Sequence, residues 1–242
     1  MDPTAVEGAK ETPYRVPDLQ VEYVRADLPL RIGFWRSVGH SYNAFAVESF
    51  IDEIALAGGH DPVDLRRRLL PPGSRNVGVL EAAVRMAGAP PAGTGRGRGV
   101  AVHASYGSYV AMVADVKVAG RDALVVERIV CAADCGLAVN PDAVAAQLEG
   151  GIVFALSAAL DGQVGFERGA AIASNFDDYR VLRFDEMPAV EIQLVNGAPD
   201  GPGGVGEIGV PPLAPAVCNA ISAATGRRPR SLPLRPAGVA RQ

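Results

Sequence analysis

Histidine and cysteine are scarce in this chain, with three of each in 242 residues. The cysteines, Cys131, Cys135 and Cys218, are odd in number, which argues against a disulfide framework. Cys131 and Cys135 bracket Ala132-Ala133-Asp134, yet no second Cys or His pair accompanies them, and a structural zinc site takes four ligands. Buried thiols are the reading that fits. An excess of charge is lacking too: the net charge of −4 gives no electrostatic case for nucleic acid or an anionic membrane. No apolar run approaches the roughly 20 residues that a membrane span needs. The N-terminus Met1-Asp2-Pro3-Thr4 is acidic and polar, unlike a signal peptide. Cytoplasmic and periplasmic locations both stay open.

What remains is the composition of a globular domain, 48% hydrophobic and 21% charged. The first ~30 residues read as extended and turn-rich, with Tyr14, Val16, Leu19, Val21, Tyr23 and Val24 punctuated by Pro13, Pro17 and Pro29. Three short amphipathic helices follow: Asn43 to about Ala57, one opening at Asp61-Pro62 and ending before Pro71, and Asn76 to Ala87. The Arg66-Arg67-Arg68 run reads as a solvated helix face that could also meet an acidic partner. Residues 88–99, rich in Gly and Pro with no apolar anchor, read as a linker. Beyond it, Val100–Val118, Leu124–Cys131 and Val190–Val195 carry strand-like runs. Between them, Asn140 caps and Pro141 starts a helix of about 20 residues, whose Gly150-Gly151 pair anticipates close backbone packing. The mix predicts an α+β fold without a parallel βαβ series. It divides into an N-terminal part, 1–87, the linker, and an α+β region, 100–242.

Two segments have unusual composition. In Gly203-Gly204-Val205-Gly206-Glu207-Ile208-Gly209-Val210-Pro211-Pro212-Leu213-Ala214-Pro215, one carboxylate sits among glycines before a helix signal. Pro215 suits the first turn, Val217, Ile221 and Ala224 form an apolar stripe, and Gly226 supplies the stop. A backbone without side chains can press on a bulky group, and the N–H groups at a helix start are open to an anion. A solvated Glu in an ordinary Gly/Pro loop is the alternative. The second segment is Gly33-Phe34-Trp35-Arg36-Ser37-Val38-Gly39-His40-Ser41-Tyr42-Asn43-Ala44-Phe45, leading into Val47-Glu48-Ser49-Phe50-Ile51.

Together with Val130-Cys131-Ala132-Ala133-Asp134-Cys135-Gly136 and Asn140-Pro141, these segments resemble the molybdopterin-binding large subunit of the molybdenum hydroxylases, the xanthine dehydrogenase and aldehyde oxidase family. Within it the likeness is greatest to the branch of the isoquinoline 1-oxidoreductase beta subunits. The resemblance runs from Glu7-Gly8-Ala9 to Ser231-Leu232-Pro233-Leu234 and covers only the C-terminal part of such large subunits, as a fragment or one half of a split subunit would. The family's earlier glycine-rich segments, including a Gly-Gln-Gly stretch that helps hold the pterin, have no counterpart here.

The resemblance implies the C-terminal part of a molybdenum-cofactor-binding domain. It implies hydroxylation of an N-heterocycle or aldehyde with water-derived oxygen. Glu207 would be the base, since a carboxylate within about 3 Å can take the proton of the oxygen that becomes the nucleophile. Arg36 would lie beside the metal pocket and orient a substrate oxygen. An Arg packed on Trp35 or paired with a carboxylate is the other reading. Phe34, Trp35, Gly204 and Gly206 would approach the cofactor, a molybdopterin cytosine dinucleotide whose dithiolene holds the molybdenum, with no metal ligand from the protein. Val38 and Tyr106 would line the substrate pocket. Val38 stands where the purine-oxidising enzymes carry an aromatic residue. His40 reads as a hydrogen-bonded structural histidine, and His103 and Tyr106 as strand residues near the substrate entrance. The implied partners are the N-terminal half of the large subunit and a small iron–sulfur subunit. A non-catalytic remnant or structural subunit is the alternative to an enzyme, although retention of both Glu207 and Arg36 favours catalysis.

Overall fold

A computed structural model describes residues 2–28, 30, 32–120, 123–195 and 201–235; Pro29 lies outside them. A short 3-10 turn, Pro3–Val6, opens the chain, and no strand forms among the described residues before the first helix. Helices α1 (Val38–Ala57), α2 (Pro62–Leu69) and α3 (Arg75–Ala87) follow, then strands β1 (Arg96–Ser105), β2 (Ser108–Ala119) and β3 (Ala123–Asp134). After them come α4 (Pro141–Asp161), a small hairpin of β4 (Phe166–Glu167) and β5 (Ala170–Ala171), then β6 (Ala189–Leu194) and α5 (Leu213–Thr225).

The main sheet has the order β1-β2-β3-β6. β1, β2 and β3 run antiparallel, whereas β6 pairs with β3 in parallel, from Arg128 opposite Ala189 to Ala133 opposite Leu194. The chain between β3 and β6 includes α4, so the sheet has one parallel crossover, short of the βαβ series that the sequence argued against. Both faces of the sheet are covered. Val100, Val102, Ala111 and Val113 pack with Ile51, Leu65, Val79 and Leu80 of the first three helices. On the other face Ala101, Val110, Met112, Ile129 and Cys131 pack with Leu148, Ile152 and Leu156 of α4 and Leu213 and Val217 of α5. Strands buried on both sides read as continuous apolar runs, which is why they were legible as runs rather than as alternations.

Side-chain caps fix several helix starts: Asp61 accepts from Val63 N at 2.8 Å, and Asn140 accepts from Ala143 N at 3.0 Å, each ahead of a proline. Helix α5 closes on Gly226 in the left-handed conformation, as its sequence predicts. Helix α4 is long and apolar enough to cross a membrane, contrary to the expectation from run lengths alone. Its Val144, Leu148, Ile152, Leu156 and Leu160 are buried in the core, as in the central helix of a globular domain. Gly151 packs against the Gly209 backbone, where a Cβ would come within 3.1 Å of the Gly209 Cα, whereas Gly150 meets nothing.

Three sequence expectations change. First, α1 begins at Val38 rather than Asn43. Second, β1 takes over the last four residues of the expected linker 88–99. A Cβ on Gly99 would fall 2.2 Å from the Ala216 carbonyl oxygen and 2.2 Å from the Ala220 nitrogen, so this glycine lets helix α5 lie directly on the strand. Third, Arg66 is 0% exposed rather than solvated. Its guanidinium lies 2.9 Å from Glu48 and 3.8 Å from Asp52. Glu48 also accepts from the Tyr14 hydroxyl and from Val102 N at 3.1 Å. Arg228 closes the network on Asp52 at 2.6 Å and on Asn219 at 2.8 Å. Because helices from 1–87 share a core with strands from 100–132, the division at residue 88 is one of sequence rather than of packing.

The three cysteines are buried thiols. Burial pushes Cys131 and Cys218 up to about 12, which keeps both protonated and unreactive near neutral pH.

Candidate active site

The glycine loop is held by the hairpin between β1 and β2. Gly204 N donates to the Tyr106 carbonyl at 2.8 Å, and Ser108 Oγ donates to the Gly204 carbonyl at 2.8 Å. A Cβ on Gly203 would lie 2.3 Å from Ser108 Oγ, and one on Gly204 would lie 2.9 Å from Tyr106 Cβ. The close approach that Gly204 permits is therefore to the protein's own hairpin. Gly206 differs: Gln147 Oε1, at 3.9 Å, is the one atom near its Cβ position, so this face of the loop stays open.

Glu207 follows directly, half-buried. One carboxylate oxygen accepts from the Ser37 backbone N–H at 2.9 Å, while Ser37 Oγ donates to the Glu207 carbonyl at 2.6 Å. Ser37 is the N-cap of α1 and has φ 74, a left-handed conformation, with no side-chain capping bond. Glu207 thus places negative charge at the N-terminus of α1, where free N–H groups and the helix dipole favour it. The sequence had placed Glu207 at the start of α5 instead, six residues further along its own chain. Ser37 itself was missed, since nothing beyond its position next to Arg36 marks it.

Arg36 joins the two segments across a separation of 170 residues: Nε donates to the Gly206 carbonyl at 2.8 Å, and Nη2 donates to the same oxygen. Nη2 also approaches Gln147 Oε1 at 3.4 Å, and the guanidinium carbon lies 5.7 Å from the centre of the Phe154 ring. Its partners are thus the Gly206 carbonyl, the Gln147 side chain and Phe154, neither the carboxylate nor the Trp35 packing that the sequence left open. Trp35 instead packs on Phe154 with ring centres 4.7 Å apart. Phe34 is 81% exposed, and Val38 begins α1 half-buried.

Tyr106 is not on a strand. With Gly107 it makes the two-residue turn of the β1–β2 hairpin, at φ 53 and 76 respectively, in register with Ser105 opposite Ser108. Burial and then the Glu207 charge push its phenol up to about 12. The Tyr106 ring stands edge-on to His40, 5.2 Å between centres. His40 Nδ1 lies 2.9 Å from His103 Nε2, so one ring donates and the other accepts. Burial, and secondarily His40, lower His103 to about 3, which leaves it neutral at physiological pH. The expected structural histidine is therefore half of a buried pair. Glu207, Ser37, Arg36 and Gly206 form one cluster, tied to the Tyr106 turn through the Gly204 backbone, with Trp35, Phe154 and the histidine pair beside it.

Residues 75–188 match the family model of the molybdopterin cofactor-binding domain; Arg36 and Glu207 lie outside that span. The chain is 34% identical over 229 residues to the isoquinoline 1-oxidoreductase beta subunit of Brevundimonas diminuta, covering 93% of this chain and 29% of that protein. It is 34% identical over 243 residues to a nicotinate dehydrogenase subunit of Pseudomonas putida, covering 90% of this chain and 20% of that one. It thus spans less than a third of either relative. Among solved structures, the aldehyde oxidoreductase from Desulfovibrio desulfuricans superposes with a TM-score of 0.68 at 15% identity, over 84% of this chain and 40% of that one, which is a likeness of fold. With a molybdenum-cofactor-binding fold and relatives of this kind, the chain belongs to the molybdenum hydroxylase family.

Proposed function

We propose that this chain forms the C-terminal catalytic part of a molybdenum hydroxylase that oxidises an N-heterocycle or aldehyde with oxygen from water, Glu207 acting as general base. The observation that carries this reading is the seating of Glu207. Its carboxylate is held by the Ser37 N–H where two distant segments are tied together through Arg36 and the Gly206 carbonyl. A base must meet its proton within hydrogen-bond reach, and a carboxylate fixed on a rigid helix start is suited to that.

The residues present fit a bulky anionic cofactor beside this cluster: Gly206 has an open face, and Phe34 and Trp35 are exposed in the neighbouring segment. When bound, the molybdenum cofactor, in our reading the cytosine dinucleotide form, supplies the two-electron oxidation. Glu207 removes the proton from the attacking oxygen. Arg36 holds the loop that carries Glu207, so its role in this reading is to position the base. Electrons leave through an iron–sulfur partner subunit, and the remaining pterin contacts come from the N-terminal half of the large subunit.

Two measurements test the division of labour. The chain expressed alone is expected to hold no molybdenum and to self-associate, because Phe34, Phe176 and Phe184 stand in the open, the last two at 95% and 96% exposure. Near-stoichiometric molybdenum in the purified chain would overturn the assignment of most pterin contacts elsewhere. The second concerns Val38. An aliphatic side chain lacks the stacking that contributes roughly 0.5–1.5 kcal/mol, about 2- to 13-fold in affinity, for a flat purine. The complete enzyme is expected to oxidise isoquinoline or benzaldehyde with a higher kcat/KM than xanthine, and Val38→Phe to narrow the gap. A clear preference for xanthine would sink this.

A further inference from the structure

Ser37 has a backbone conformation that its residue type does not favour. Trp35-Arg36-Ser37-Val38 closes a turn, with Val38 N donating to the Trp35 carbonyl at 2.8 Å, and Ser37 in third place has φ 74 and ψ 7. Those angles are the ones of the third residue in a type II turn, where Gly or Asn is usual because a Cβ is costly at positive φ. Val38 follows at φ 45, a costlier place still for a β-branched side chain. Such positions persist where their surroundings impose them, and they cluster at functional sites. Helix capping does not account for the serine, since its side chain makes no capping bond to α1.

The hydroxyl reaches the other segment instead. Ser37 Oγ donates to the Glu207 carbonyl at 2.6 Å and Ser37 N to the Glu207 carboxylate at 2.9 Å, so one buried residue holds both the backbone and the side chain of Glu207. The pairing extends by one residue, since Arg36 holds the Gly206 carbonyl as Ser37 holds Glu207, and this sets the two loops in register. The Glu207 carbonyl also accepts from Val210 N at 3.0 Å, which closes a turn ahead of α5. Behind Ser37, the first turn of α1 is fixed on the N-terminal segment. A Cβ on Gly39 would fall 1.9 Å from the Thr4 carbonyl oxygen, and Asn43 Nδ2 donates to the carbonyls of Ala5 at 3.0 Å and Glu7 at 2.7 Å.

We propose that Ser37 is a positioning residue: its hydroxyl, anchored on the Glu207 carbonyl, and its left-handed backbone together aim its N–H at the Glu207 carboxylate and hold that carboxylate in one orientation toward the reacting group. This deepens the reading of Glu207 as base and rests on it. Glycine would relieve the backbone at this position but supply no anchor, so the role separates stability from turnover.

Ser37→Gly and Ser37→Ala in the molybdenum-loaded complex test it. Both remove the hydroxyl and keep the N–H, and only Gly adopts the positive φ freely. The unfolding midpoint of the Gly variant should therefore lie above that of the Ala variant. Turnover should not follow that order: kcat should fall at least about five-fold in both, the equivalent of one ordinary hydrogen bond, with KM within about two-fold and molybdenum content unchanged. In a Glu207→Gln background, Ser37→Gly should cost nothing further in kcat, since the carboxylate it positions is gone. A Gly variant with the kcat of the parent, losses of kcat that track the midpoint or the molybdenum content, or equal losses in both backgrounds would each overturn the proposal while leaving Glu207 as base. If Glu207→Gln alone leaves turnover near normal, the base assignment fails, and the positioning role falls with it.

Discussion

Replacement of Glu207 by Gln is expected to lower kcat by at least ~10²-fold in the molybdenum-loaded enzyme, the upper part of the range for a positioned general base. The substitution suits the question because Gln keeps the length and shape of Glu and retains an oxygen that can accept from Ser37 N, so the loop need not move. What it removes is the capacity to take a proton. Molybdenum content and the unfolding midpoint should therefore match those of the parent enzyme, and KM should change far less than kcat. Near-normal turnover with full molybdenum would show that Glu207 is not the base. A loss of molybdenum in parallel with activity would instead assign the carboxylate to holding the loop together, as its bond to α1 also allows.

Much of the fold was legible where a local signal decides the structure. Asp61-Pro62, Asn140-Pro141 and Gly226 fix helix ends through their own side chains or backbone freedom, and each boundary fell within a residue of expectation. The start of α1 was not legible, because Ser37 makes no side-chain cap and its N–H is satisfied by Glu207, 170 residues away. Gly99 read as linker for the same reason. A glycine that accommodates a helix backbone looks, in sequence alone, like one that confers freedom. At the site, the two segments were found by composition, but their relation was not. Arg36 meeting the Gly206 carbonyl, Glu207 capping the wrong helix and His40 meeting His103 are all contacts between distant elements.

Arg66→Ala is expected to be the most destabilising of these substitutions, by about 3–5 kcal/mol, the usual cost of removing one partner from a buried ion pair. Against a typical total of about 5–15 kcal/mol for a folded domain, that would leave little margin. The reason lies in what the change strands: Glu48 is 1% exposed and would keep only the Tyr14 hydroxyl and the Val102 N–H, while Asp52 would rely on Arg228 alone. Arg68, two residues along the same helix and exposed, is the control, and Arg68→Ala should fall within about 0.5 kcal/mol of the parent. Denaturant midpoints compared under one set of conditions would check both, and a small effect at Arg66 would show that the pair is dispensable. Restoration of stability by a double Arg66→Met, Glu48→Leu replacement would separate the cost of a stranded charge from any need for the charges themselves. The consequence extends to the site. The same network reaches Asn219 of α5, whose side chain donates to the Val100 carbonyl at 3.0 Å, so its loss loosens the helix that follows the Glu207 loop against the sheet. Arg66→Ala should therefore lower activity at temperatures well below its unfolding midpoint, whereas Arg68→Ala should not.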